Sequence, residues 1–235
     1  MWQTLKLEVQ KQHARFDRET QAWLGDYAQR GGRVFCKKGC RECCNLAVSA
    51  SFTEALCIAE RLTDDRAGRI REHAGLLLEH ARGIADLKSY LRMHREKIGF
   101  CPLLDEEGSC TAYEVRPFSC RALLSTMESR ICGLDFATIS QSEKLAFIAG
   151  LDISVVSFPM HYVAATQDLG QELETLAVRR MAKRFGFSLY GSLPFLVFLE
   201  LEHRLSKVVP EGPEATTRFL EKEGLNIPIL VMLDL

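Results

Sequence analysis

Four cysteines stand within nine positions of "VFCKKGCRECCNLAV", residues 34–48: Cys36, Cys40, Cys43 and Cys44. Sulfur this dense constrains the fold, because each thiol must be paired, ligated or buried. The chain has nine cysteines, an odd count that argues against complete pairing. A bridge between Cys43 and Cys44 is also disfavoured, since neighbouring alpha carbons lie about 3.8 Å apart, below the usual bridging range. Ligation is the better use of the pair. Successive side chains diverge, so one of the two ligates while the other bridges, supports a second metal or packs.

A second set follows in "FCPLLDEEGSCTAYEVRPFSCR", residues 100–121, with Cys101, Cys110 and Cys120. Two short apolar runs flank the turn-like "DEEG", which predicts a small hairpin with Cys101 on one arm and Cys110 on the other. Thiolates are soft ligands suited to zinc, Cu(I) and iron–sulfur clusters, and gaps of two or three residues let a loop turn its sulfurs toward one centre. Such a site would tie two distant segments together. Arg33, Lys37, Lys38 and Arg41 surround the first set, and Arg116 and Arg121 accompany the second; cations there lower thiol pKa values and offset thiolate charge. Tyr113 is expected to pack over the metal loops or to hydrogen-bond within the hairpin.

At 235 residues and 47% hydrophobic, the chain can bury an ordinary core without disulfide staples. A net charge of -1, from 30 basic and 31 acidic residues, gives no global pull toward nucleic acid or anionic membrane. The first residues, "MWQTLKLEVQKQHARFDRE", lack the apolar core of a secretory signal, so a cytoplasmic location is expected. "LPFLVFLELEH", from Leu193, is too short to span a bilayer, which takes about 20 apolar residues. It reads as a buried helix.

Apolar residues recur at helical spacing from Trp2 to Gln29, and Gly31-Gly32 stops the pattern. Ser51-x-x-Glu54 is a capping box that predicts a helix to about Leu62, and Ser140-x-x-Glu143 predicts another. Residues 64–98 read as one long helix or as two broken near Gly83. Further helices are expected over 168–185 and 193–208, with a last one after "PEGPEA" and before "NIPILVMLDL". The fold class is mainly α: an irregular helical domain with a small β-hairpin and a cysteine-rich metal site. Residues 1–33 form an N-terminal helix, 34–124 the metal-binding core, and 125–235 a helical part packed on the same domain.

The full pattern is C-x3-C-x2-C-C, then C-P-x-L, then C-x2-Y-x2-R-P-x2-C-R, carried by "CKKGCRECC", "CPLL" and "CTAYEVRPFSCR". These three motifs, in this order, resemble the YkgJ-type cysteine-cluster family of zinc- or iron-chelating domains, over residues 34–121. The resemblance implies metal ligation by Cys36, Cys40, Cys43, Cys44, Cys101, Cys110 and Cys120. Arg116, Arg121 and Tyr113 are candidates to flank the cofactor. All-sulfur ligation suits zinc and iron–sulfur clusters alike; a surplus over the four ligands of one tetrahedral ion favours a cluster or a two-metal site, and the reading leans to iron–sulfur.

Cys57 is expected to be a spare thiol pointing away from the apolar face of its helix. Cys132 lies beyond the matched motif but close enough to bend back. His73 and His80 read as solvated helix histidines, and His94, His161 and His203 have no motif around them. The C-x3-C-x2-C run also fits radical S-adenosylmethionine enzymes, which would require alternating strands and helices after the loop. A related cysteine segment occurs in flagellin lysine-methylating proteins, the alternative enzyme reading. No membrane or nucleic-acid partner is expected, and a protein partner would use the C-terminal helices.

Overall fold

In this computed structural model, which describes Met1 to Leu235, helices form over most of the expected segments, but the one expected over 193–208 is broken by Arg204 at φ +50° and the one expected from 168 starts at Ala164. The helices are α1 (Trp2–Gln29), α2 (Phe52–Ala59), α3 (Asp64–His80), α4 (Leu87–Met93), α5 (Phe118–Arg121) and α6 (Ser129–Cys132), then α7 (Gln141–Ala149), α8 (Ala164–Phe185), α9 (Leu193–His203), α10 (Leu205–Val208) and α11 (Pro213–Lys222). Strands β1 (Ser49–Ser51), β2 (Ser188–Ser192) and β3 (Val231–Asp234) make one antiparallel sheet in that order. The molecule is thus mainly helical, with a small sheet and clustered cysteines.

Both capping boxes are complete. Ser51 Oγ accepts from Glu54 N, and Glu54 Oε2 accepts from Ser51 N at 3.0 Å; Ser140 and Glu143 repeat the exchange at α7. Each satisfies orphan donors at a helix start. α2 ends three residues before the expected Leu62. The 64–98 segment breaks as the second alternative had it: Thr63 caps α3, Gly83 turns the chain at φ +81°, and Asp86 caps α4 by accepting from Ser89 N at 2.9 Å. α4 then widens into a π turn, His94–Ile98.

α9 is apolar on every side over its first seven residues, Leu193–Leu199, and is packed against α2 and α3 in the main core. α1 lies on α2 and α8. The sheet was not foreseen, and its three short strands come from opposite ends of the chain. β3 approaches β2 so closely that a Cβ at Gly191 would sit 2.1 Å from the Leu230 carbonyl oxygen. A lone three-stranded antiparallel sheet is not the strand–helix alternation that the radical S-adenosylmethionine reading requires, and that reading falls.

Gly170 on α8 sets the seat of the short helix α5. A Cβ there would lie 2.8 Å from Ala122 Cβ and 3.4 Å from the Phe118 carbonyl oxygen. Gly170→Ala is expected to lower the melting temperature by about 2–8 °C, since overpacking costs about 1–3 kcal/mol. Gly68→Ala, in α3 with nothing within 4 Å, should leave it unchanged or raise it. Thermal unfolding by circular dichroism of the two variants measures both.

Candidate metal centre

The first cysteine loop is held at both ends by backbone. Phe35 N donates to the Ser125 carbonyl at 2.9 Å, and Ser125 N donates back to Cys36 Sγ at 3.2 Å. At the other end a 3-10 turn, Glu42–Asn45, carries the adjacent pair, with Cys44 N donating to the Arg41 carbonyl at 2.9 Å. The Cys44 carbonyl then accepts from Cys101 N at 2.8 Å. That single bond joins the two cysteine segments directly.

The expected hairpin over 100–121 is present only in miniature. One bridge pairs Leu104 with Cys110, Thr111 N donates to Leu103 O at 2.9 Å, and Asp105 closes the turn by accepting from Ser109 N at 2.6 Å. Pro102 lacks the N–H that would extend the ladder, and the chain turns at Tyr113–Val115 into a 3-10 helix instead. α5 follows and carries Cys120. Glu54 caps it from another element: Glu54 Oε1 accepts from Phe118 N at 2.9 Å. Ser119 Oγ donates to Ser49 O at 2.6 Å. The capping-box carboxylate of α2 therefore also positions the second cysteine segment.

Cys36, Cys40, Cys43, Cys44, Cys101, Cys110 and Cys120 all line one cavity of about 420 Å³. Tyr113, Arg116 and Arg121 line it as well. All nine cysteines are free thiols. The donor set, soft sulfurs from two segments on one enclosed space, is that of a zinc or iron–sulfur site. The thiols are not drawn up as a finished ligand cage, for no three or more Cys, His, Asp or Glu side chains stand close enough together to hold an ion.

Burial opposes charge on five of these sulfurs. It pushes the Cys101 thiol up to about 12 and Cys120 well above the ordinary range, and it raises Cys36 and Cys110. Cys43 is raised by its hydrogen bond with Cys44 and then by burial. The Arg116 guanidinium works the other way on Cys36, Cys43, Cys110 and Cys120. Without a metal the buried thiols keep their protons, and ligation must displace them.

The two arginines have different tasks. Arg116 stacks over the Tyr113 ring with Cζ 3.9 Å from its centroid, and its Nε is buried without a partner. Arg121 is fully engaged: Nε donates to Arg116 O at 2.9 Å, Nη2 to Glu114 O at 2.5 Å and Nη1 to Asp17 Oδ1 at 2.6 Å. It clamps the 114–121 segment and ties it to α1.

Several residues are placed differently from expectation. Cys57 does not point away from the core; α2 is enclosed all round, and Cys57 is buried in the main core, away from the thiol cavity. His73 is not solvated, because α3 buries the stripe Ala67, Ile70, His73, Ala74 and Leu77 at helical spacing. His94, which no motif marked, lies with His73 on the wall of the thiol cavity. His80 stays partly exposed beside Glu79. Cys132 is buried with Sγ 3.2 Å from His161 Nε2.

Residues 35–133 match the CxxCxxCC family, described as "Putative zinc- or iron-chelating domain". The match falls on the three motifs that pointed to a cysteine-cluster domain, and its span reaches past Arg121 to include Cys132. No curated protein and no solved structure matches the chain.

Arg121→Met is expected to destabilise the protein by about 2–4 kcal/mol, since it strands two carbonyls and the clamp on α5. Asp17→Asn should cost less than about 1 kcal/mol, because the Asp17 carboxylate is 59% exposed. Urea unfolding of both variants checks the difference.

Proposed function

We propose, for a chain whose residues 35–133 match a zinc- or iron-chelating family, that the cavity binds iron as an iron–sulfur cluster. Cys36, Cys40, Cys43, Cys44, Cys101, Cys110 and Cys120 supply the ligands. The observation that carries this reading is the meeting of seven free thiols on one cavity: one tetrahedral ion takes four ligands, so the surplus favours a cluster or a two-metal site, and thiolates are the ligands of iron–sulfur clusters. Arg116 supplies counter-charge beside the sulfurs, Tyr113 stacks beneath it, and Arg121 holds the segment in place. The segment 34–124 is the chelating core, and the flanking parts, 1–33 and 125–235, enclose it.

Zinc is the second reading, favoured by the same sulfur donors and by the absence of any electron-transfer requirement in tetrahedral thiolate sites. Anaerobic purification, followed by an absorption spectrum with iron, sulfide and zinc analysis, separates the two. Broad visible absorption with iron and acid-labile sulfide is expected; a colourless protein with stoichiometric zinc overturns the cluster.

Substitution is expected to divide the cysteines. Cys40→Ser and Cys120→Ser should reduce bound metal and lower the melting temperature together, because ligation contributes folding free energy. Cys57→Ser should keep the metal while costing about 1 kcal/mol for a buried hydroxyl. Metal content by mass spectrometry and thermal melts report both.

Metal affinity should rise with pH. Thiols whose pKa values are raised by burial hold their protons at neutral pH, so each ligating thiol releases one on binding. Affinity is then expected to gain about tenfold per pH unit for each proton released. Chelator competition at two pH values gives the slope; a flat profile contradicts thiol ligation.

A further inference from the structure

Two histidines that the thiol chemistry does not use stand on the same cavity. His73, from α3, and His94, at the start of the π turn, are 6% and 5% exposed and both line the space that the seven thiols share. Their ring centroids are 6.1 Å apart with the planes at 61°. Nε2 of His73 and Nδ1 of His94 have no hydrogen-bond partner. A buried polar atom left so costs about 1–3 kcal/mol, and native proteins keep such atoms where something else completes them.

A neutral imidazole carries one nitrogen with a free lone pair, and each of these rings has a buried nitrogen that no protein donor or acceptor engages. The π turn adds a further sign: Gly99 N donates to the His94 carbonyl at 3.0 Å, a wide turn of the kind that concentrates at functional sites. Burial lowers His73 to about 4, with His94 a second cause, and burial lowers His94 too. Both rings are therefore neutral near pH 7, the form that ligates metals.

We propose that His73 and His94 form a nitrogen site for a divalent transition-metal ion, separate from the thiol ligands but opening on the same cavity. Imidazole nitrogens suit zinc, iron and cobalt. Two protein ligands are preset, so water completes the coordination, and open positions mark an ion that can bind a further molecule. The inference holds whether the thiols carry a cluster or zinc.

Cobalt(II) titration of the anaerobically purified protein tests it, because cobalt reports sulfur and nitrogen ligands separately. Wild type is expected to take up about one equivalent more than the His73→Ala/His94→Ala variant, while the thiolate-to-cobalt absorption stays equal in the two. Equal uptake overturns the proposal. If the alanine pair does not fold by circular dichroism, His73→Gln/His94→Gln replaces it. X-ray absorption of the wild-type cobalt protein is the second measurement, and absence of imidazole scattering overturns the proposal for any variant outcome. Imidazole scattering in a protein that holds neither iron nor zinc as purified and that shows no thiolate-to-cobalt band would support this site and defeat the thiol reading, so the two fail separately.

Discussion

Seven half-buried sulfurs share one cavity, and a thiolate set into protein in this way is favoured by a nearby cation. Burial favours the protonated form of Cys36, Cys43, Cys101, Cys110 and Cys120, and Arg116 supplies counter-charge to four of these five. A metal ion or cluster resolves this conflict by replacing protons with a positive centre that each sulfur can share. The cavity is thus a place where metal-free burial is uncomfortable and metal-bound burial is favourable.

The cavity does not depend on sulfur–sulfur bonds for its shape. The Cys101 N to Cys44 O bond joins the two segments, Glu54 spans α2 and the start of α5, and Arg121 clamps the chain around Cys120 to α1. These are hydrogen bonds from fixed backbone or from buried side chains, the kind whose loss leaves a partner unsatisfied. Lysine could not replace Arg121, since one ammonium cannot reach three acceptors in the plane that the guanidinium spans. The cavity is therefore shaped by a scaffold that the polypeptide builds itself, with His73 and His94 set on its wall beside the thiols.

Much of this was legible in residue spacing. The cysteine motifs, both capping boxes, the first helix and the break near Gly83 are local features, decided within a few residues by donor satisfaction and backbone freedom. The hairpin was overestimated because an apolar–turn–apolar pattern does not say how far a ladder extends past Pro102. Cys57 was misplaced because a single helix face was assumed, whereas α2 is covered on every side by its neighbours.

The sequence by itself determined that two sulfur-rich segments exist and that they carry the pattern of a zinc- or iron-chelating domain, because ligand type and short spacing are properties of a few neighbouring residues. Only the tertiary structure decided that all seven thiols line one cavity, that three strands from distant parts of the chain pair, and that His73 and His94 come to 6.1 Å across it. Those outcomes depend on which helices pack together. Histidines on separate helices carry no shared periodicity that would reveal their meeting beforehand.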